Sequence, residues 1–283
     1  MKHLLVDGRN SIYRAMFAGM ADPAFRKSGF HTVIIFVRFL HHYLRTFRPS
    51  EIHVFWDDKP ENLWRRKFFP AYKAQRKAER DKRNAFDVDK VMADCVNVAM
   101  TIIPEMGIRM YFRETQEADD LIYAFIQTLQ DKESATIVSS DSDFVQLEKG
   151  NVHVFNPMHT GHRKEYRYPL LMKCMMGDKA DNIPGYVGIG PKRAAKLCEN
   201  DGEMKAFLKA RGVKTLVDNR FLIDMSKCPF VEDNVKYVKA IRSSRPVFNG
   251  PAIESAAMRL KIRGLIGEFH RFVLPFKNLT RIN

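Results

Sequence analysis

The chain has 283 residues, 45% hydrophobic and 28% charged, with 47 Lys and Arg against 33 Asp and Glu, a net charge of +14. That length can bury a proper core as one large domain or two small ones, and the hydrophobic share is ordinary for a soluble globular protein. The positive surplus and a pI of 9.6 favour a polyanionic partner, nucleic acid or an anionic surface, whereas a membrane span is excluded because the most apolar run, Thr32–Leu40, is short and contains Arg38.

Taken in order, His3–Asp7 is a short apolar run ending on an acid, expected to be a buried strand. It reaches Asp7 too early for a signal peptide. Ser11–Phe17 opens a helix, and His31–Phe47 follows with apolar residues at 33, 36, 37, 40, 44 and 47 until Pro49 stops it. Glu51–Trp56 is a second strand and runs into Asp57-Asp58; Asp58 is expected to serve the turn. Leu63–Arg83 is rich in Lys and Arg interleaved with Trp64, Phe68, Phe69 and Tyr72, either a solvated face with its apolar side buried or a platform for a single strand.

Asp87–Ile103 is expected to be helical with Met92, Cys95, Val96 and Ala99 on one face, Gly107–Phe112 a third strand and Glu117–Leu129 a helix with acids in its first turn. Ala135–Ser139 is a fourth strand running into Asp141 and Asp143, and Val152–Phe155 with Glu165–Tyr168 are expected to form a hairpin. Alternating strands and helices imply an α/β fold with a mainly parallel central sheet flanked by helices. Sites in such sheets lie beyond the carboxyl ends of the strands, where Asp7, Asp57 and Asp141 all fall. Residues 199–283 read as helical and basic, and Cys95, Cys174, Cys198 and Cys228, with no CxxC pair, fit reduced thiols in a cytosol.

Met176–Leu197, MGDKADNIPGYVGIGPKRAAKL, has two halves. Asp178 and Asp181, three apart, would share one side of a helix starting there. Pro184, Gly185, Gly188 and Gly190 then free the backbone, and a helix from Pro191 brings Lys192, Arg193 and Lys196 to an N-terminus that favours phosphate. Beside it stand the acids Asp7, Asp57, Glu117, Asp119, Asp120, Asp141, Asp143, Asp178 and Asp181. Any one of them alone could merely cap a helix, but gathered together they would repel unless cations lay among them. Hard oxygen donors at this density suit Mg²⁺ or Mn²⁺. Two such ions about 3.5–4 Å apart could polarise a phosphodiester and supply hydroxide.

The pieces LLVDGRNSIYRA, FWDDKPENLWRRKFFPAYKAQR, EADD, SSDSDFVQL and MGDKADNIPGYVGIGPKRAAKL together resemble the 5′-nuclease, or flap endonuclease, family of phage 5′-exonucleases and bacterial DNA polymerase I nuclease domains. The resemblance implies a PIN-like α/β core over 1–165 including a helical arch at about 65–103, and a helical DNA-binding region over 166–283 with a helix–three-turn–helix at about 170–200. It implies that Asp7, Asp57, Glu117, Asp119, Asp120 and Asp141 serve mainly a first ion, and Asp143, Asp178 and Asp181, with Asp141 shared, a second.

Lys73 and Arg76 match arch residues that reach the scissile phosphate, Arg65 and Tyr72 neighbours that support that gateway, and Tyr13 with Arg14 an aromatic position where a base could stack. Gly188, Ile189, Gly190 and Lys192, followed by Arg193 and Lys196, match the turn that holds duplex backbone, where family members often place K⁺. The expected activity is a Mg²⁺-dependent structure-specific 5′-nuclease, Mn²⁺ substituting, on DNA with 5′ flaps, nicks or RNA primers. The protein is expected to be a cytoplasmic, free-standing monomer working beside a replicative polymerase, with no membrane. The alternatives are a PIN-like ribonuclease and a non-catalytic DNA-binding protein.

Overall fold

The computed structural model describes residues 1–19, 30–76, 88–159, 168–260, 267 and 269–280. In chain order the core elements are β1 (Lys2–Asp7), α1 (Gly8–Gly19), α2 (Phe30–Phe47), β2 (Glu51–Trp56), α3 (Trp64–Phe68), α4 (Val88–Ile102), β3 (Arg109–Phe112), α5 (Ala118–Ile126), β4 (Ser134–Val138) and β5 (Val152–Phe155). The strands form one sheet in the order β3-β2-β1-β4-β5, every neighbouring pair parallel. The expected mainly parallel sheet is therefore present. From β1 at its centre the chain winds out through β2 and β3, then returns to build β4 and β5 on the other side. The crevice between β1 and β4 is thus the point where the winding reverses, the place where doubly wound sheets bind their ligands.

The strands form where the sequence supplies short apolar runs that both faces of a parallel sheet can bury. β2 is buried along its whole length and β1 in all but its first residue. Helix α2 follows the 3.6-residue spacing, with Val33, Phe36, Val37 and Leu40 fully buried. They pack on one side of the sheet with α1, α4 and apolar residues from 253–279. The other side is covered by Leu121, Ile122 and Phe125 of α5 and by Met225 and Val238 from the second half of the chain. Gly8 lets α1 start against β2, since a Cβ there would meet the Phe55 carbonyl oxygen at 2.8 Å.

β5, expected in a hairpin, pairs parallel to β4, Ala135 facing Val152 and Val138 facing Phe155, and among the described residues it has no second strand neighbour. The other proposed strand falls mostly on residues 165–167, outside the described residues, and Tyr168 instead caps the next helix. The arch expected over about 65–103 consists, among the described residues, of α3, turns to Arg76 and the core helix α4, whose Val88, Met92, Cys95, Val98, Ala99 and Ile102 are buried. Lys77, Arg80, Lys82 and Arg83 lie outside the described residues.

The second half begins with α6 (Pro169–Met176), a two-stranded antiparallel pair β6 (Gly177–Asp178) and β7 (Ile183–Pro184), and α7 (Pro191–Glu199). The expectation of a helix start at Asp178–Asp181 is corrected: those residues occupy a tight hairpin, with Gly177 at φ +73° and Asn182 at φ +62°. A Cβ on Gly185 would lie 2.1 Å from the Met176 carbonyl oxygen, so the chain can cross itself there only through glycine. Met172, Met175, Tyr186, Ile189, Ala194 and Leu197 form a small core for this module, joined by Phe207 of α8 (Asp201–Arg211). Next come α9 (Lys214–Ile223), α10 (Val231–Ser243) and α11 (Gly250–Arg259), the helical run expected after residue 198.

At the end of the sheet away from the strand-terminal acids, buried polar groups tie distant parts together. Glu51 forms an ion pair with Arg109 at 2.7 Å, Glu133 accepts from Arg242 of α10 at 2.7 Å, and His3 bridges His53 and Glu133 at 3.1 Å each. Burial holds the His53 imidazole down at about 3, so it is neutral. His3, Glu51 and His53 lie close enough to bracket a metal ion. Glu51 is already matched by Arg109, and the neighbouring Glu133 by Arg242, which makes this a structural tie between β1, β2 and α10. No described helix is long and apolar enough to cross a membrane, and all four cysteines are buried and unpaired with one another.

Candidate active site

The β1 strand ends at Asp7, whose Oδ1 accepts from the Asn10 backbone at 3.0 Å and whose Oδ2 accepts from Ser139 Oγ at 2.9 Å. Asn10 Nδ2 in turn reaches Ser140 Oγ at 2.8 Å, closing the ends of β1 and β4 on each other. Asp57, just past β2, accepts from the Ala118 backbone at 2.7 Å and so joins the start of α5. Asp141 caps the 3₁₀ turn Ser142–Leu147 by accepting from the Asp143 backbone at 2.9 Å. Three strand ends and one helix start therefore converge on a cleft of about 570 Å³ lined by Asp7, Asp57, Glu117, Asp119 and Asp141, with Lys73, Arg76 and Tyr13 at its walls. These expected site residues are brought together.

The cleft is short of positive charge on one side. Burial, and Asp57 beside it, push the Asp7 carboxyl up to about 7. Burial also raises Asp57, Arg9 opposing and Glu117 reinforcing. Asp119 is pushed well above the carboxylate range by burial, with Arg65 opposing and Asp120 and Glu117 reinforcing. Its Oδ1 is a buried oxygen that accepts no hydrogen bond, and Arg65 Nη1 stands off at 3.7 Å. Hard anionic oxygens that raise one another's pKa, one of them orphaned, fit a divalent cation held by oxygen donors.

Glu117 behaves differently. Burial would raise its carboxyl, but Lys73 and Arg65 outweigh burial and hold it down to about 2. Its Oε2 accepts from Arg65 at 2.8 Å and from the Tyr72 hydroxyl at 3.0 Å, and Lys73 Nζ donates to Oε1.

Asp120 faces away from the cleft and is fully buried. Its Oδ2 takes Trp64 Nε1 at 2.9 Å and Arg65 Nη1 at 3.0 Å, and its Oδ1 takes Arg65 Nη2 at 2.9 Å. With both oxygens hydrogen-bonded, Asp120 anchors α3 to α5. Arg65 and Tyr72, expected as supports of the gateway to the DNA, are only 1% and 2% exposed. They act beneath it as supports for Glu117. Arg14 turns aside as well, donating to the Tyr43 hydroxyl at 3.0 Å and lying over the Phe39 ring.

Asp143, Asp178 and Asp181 stand beside the cleft rather than in its wall. Lys173 on α6 reaches both Asp143 Oδ1 and, at 2.7 Å, Asp178 Oδ2. Arg76 pairs with Asp181 Oδ1, and Lys73 lies 3.7 Å from Oδ2. The segment 71–76 is stitched to the 178–182 hairpin by further bonds: Asn182 to the Ala71 carbonyl at 2.9 Å, Lys73 N to the Asp181 carbonyl at 3.0 Å and Arg76 Nε to the Ala180 carbonyl at 3.0 Å. Lys73 adopts a left-handed backbone, φ +55°, to make this docking. That is a strained choice for a lysine, of the kind that marks functional positions.

At the turn after β7, Val187 and Lys192 project outward, and Gly188, at φ +78°, has open space where a Cβ would be. Gly190 caps α7 with no side-chain partner for the first N–H groups, Pro191 follows, and Arg193 and Lys196 are exposed. Ile189 is 8% exposed and packs into the module core, so it shapes the turn from behind.

Sequence reasoning passed over Arg9, Asn10, Phe17 and Phe144, which also line the cleft, and Lys173. Asn10 could have been found from its position three residues past Asp7 at a helix start. Phe17, 40% exposed with its ring 4.8 Å from that of Tyr13, is one helical turn on from Tyr13. Lys173 gives no such signal, for its partners come from other elements.

The protonation of Asp7 has a measurable consequence. Asp7 carries its proton in the ion-free protein below about pH 7, so a divalent ion must expel it there. Its contribution to folding is fully present below its ordinary 3.8 and is lost as pH rises through about 7 in the absence of an ion. Titrating Mn²⁺ calorimetrically near pH 6, in two buffers of different ionisation heat, should show release of about one proton; well above pH 7 the release should fade. Equal release at both pH values would contradict this assignment.

A family model for the 5′-3′ exonuclease N-terminal resolvase-like domain matches residues 2–173. A 5′-3′ exonuclease of Aquifex aeolicus is 31% identical over 218 residues, covering 72% of this chain and 71% of that protein. DNA polymerase I of Streptococcus pneumoniae is 29% identical over 280 residues, which span 90% of this chain and 31% of the polymerase. Among solved structures, the flap endonuclease of bacteriophage T5, in a pseudo-enzyme–product complex with DNA and metal ions, superposes with a TM-score of 0.67 at 18% identity, covering 86% of this chain and all of that one.

Proposed function

The chain belongs to the 5′-3′ exonuclease family, and from that premise we propose that it is a divalent-metal-dependent, structure-specific 5′-nuclease that cuts phosphodiesters near single-strand/duplex junctions. The observation that carries this reading is the convergence of Asp7, Asp57, Asp119 and Asp141 on one cleft that Lys73 and Arg76 also enter. In this reading the acids of that cleft, with Glu117, hold a first ion, Mg²⁺ with Mn²⁺ able to replace it. Bound there, it supplies Lewis acidity and an activated water for phosphoryl chemistry.

Lys73 and Arg76, which line the same cleft, would neutralise charge that grows on the phosphate oxygens in the transition state. Tyr13 and Phe17, at the cleft mouth, offer ring faces to an unpaired base. Arg65 and Tyr72 keep Glu117 ionised and in place from below. The 185–190 turn and the free N–H groups at the start of α7 grip the duplex backbone, with Lys192, Arg193 and Lys196 adding charge. K⁺ is assigned to the Gly188–Gly190 carbonyls. The core up to residue 165 thus carries the chemistry and the region from 166 the hold on duplex DNA, beside a polymerase that makes the flap during primer removal.

A second ion is assigned to Asp143, Asp178 and Asp181. These donors are right in kind, but in the structure they are already paired with Lys173 and Arg76.

A 5′-labelled flap, a nicked duplex and single-stranded RNA, each incubated with Mg²⁺ and with EDTA, test the function. Mg²⁺-dependent cleavage of the flap near its junction is the expected result. Preferential cutting of single-stranded RNA would favour the PIN-like ribonuclease instead, and binding without any cutting the non-catalytic reading.

A further inference from the structure

The acids assigned to the two ions have different neighbours. Asp119 Oδ1 in the cleft is a buried oxygen that accepts no hydrogen bond, whereas Asp143 and Asp178 share one ammonium. The Lys173 ammonium touches Asp143 on the 3₁₀ turn after β4 and Asp178 on the β6–β7 hairpin. One positive group thereby joins acids from two elements, which is the work otherwise given to a bridging ion.

Both acids are held in place for it. Asp178 Oδ1 accepts from the Ala180 and Asp181 backbones at 2.8 and 3.3 Å, leaving Oδ2 to Lys173. The Asp143 backbone is pinned by Asp141 at 2.9 Å. The lysine stem descends from the last turn of α6 and is one-fifth exposed.

We propose that Lys173 is a built-in occupant of the second cation site, holding Asp143 and Asp178 together in the resting protein and weakening the second ion by making it displace an ammonium. This rests on the two-ion reading above. Lysine suits the role because its charge is compact and its stem flexible, so it can swing away where a forked guanidinium would be locked. The two sites are consequently unequal: in the first, Asp7 is held by the neutral donors Asn10 and Ser139, whereas the second fills only when ion concentration overcomes Lys173.

The test is Mn²⁺ binding to the full, EDTA-stripped chain without DNA, followed by calorimetry or by the electron-spin signal of free Mn²⁺. The parent should show one tight and one weak site. Lys173→Met should leave the tight site unchanged and tighten the weak one about tenfold or more, the scale on which a neighbouring cation biases a carboxylate. Lys173→Gln guards against a local packing fault in the methionine variant, and thermal melts in EDTA establish that each variant folds. Asp143→Asn should remove the weak site from both the parent and the Lys173→Met protein.

A weak site that Asp143→Asn abolishes but Lys173→Met leaves unmoved or weakens overturns the proposal while keeping the two-ion reading. A single site in every protein, insensitive to Asp143→Asn, overturns both.

Discussion

Arg65→Ala is expected to lower folding stability by about 3–5 kcal/mol, the loss that follows when one partner of a buried ion cluster is deleted. Arg65 is 1% exposed and spends its guanidinium on three partners: the Leu222 carbonyl at 2.9 Å, Glu117 and both oxygens of Asp120. Without it, fully buried Asp120 and nearly buried Glu117 face each other with less compensation, while α9 loses its tie to α3. Arg65→Lys should recover only part of the loss, because a point charge cannot reproduce the forked geometry. Urea unfolding with an unchanged slope and a lower midpoint is the readout. A shift worth less than about 1 kcal/mol would place Arg65 among exposed, weakly coupled ion pairs.

Asp7→Asn is expected to reduce nuclease turnover by about a thousandfold or more, since loss of a metal-held Lewis acid is worth several kcal/mol and each 1.36 kcal/mol is tenfold. DNA affinity measured in Ca²⁺ should stay within a few-fold of the parent, because the proposed grip on the duplex lies in the 185–196 region. The same substitution should make the ion-free protein more stable at neutral pH, as it removes a carboxyl that burial and Asp57 disfavour in its charged form. Asp120→Asn should do the reverse, destabilising the fold by stranding Arg65 and Trp64. Opposite signs in the EDTA melts of these two variants separate an ion-binding acid from a structural one. Equal signs would remove the distinction drawn here.

Much of this was legible in the sequence because it depends on local pattern. Buried parallel strands need continuous apolar runs, and HLLVD, EIHVFW and the run at 135–139 supply them with an acid at or near the same end of each. What pattern does not give is which way a side chain turns once its neighbours arrive from far along the chain. Glu117, Asp119 and Asp120 lie within four positions, yet Asp119 lines the cleft and Asp120 does not. The difference is made by Trp64 and Arg65, more than fifty residues earlier. Lys173 likewise looks like a solvated helix lysine until Asp143 and Asp178 fold against it. The Asp178–Asp181 segment resembles a helix start in spacing alone; Gly177 and Gly185 allow the chain to cross so closely that a hairpin forms instead.

The central position of β1 also decides when the cleft can exist during synthesis. The strand is made before its neighbours and finds them only later, β2 after an intervening pair of helices and β4 later still. Asp7 and Ser139, bonded across 132 positions, cannot meet until both have emerged. Closing so long a loop is slow, because its entropy must be spent before any contact repays it. The nascent amino-terminal half therefore carries its acids apart, and the nucleolytic centre comes into being late, as a property of the nearly finished sheet.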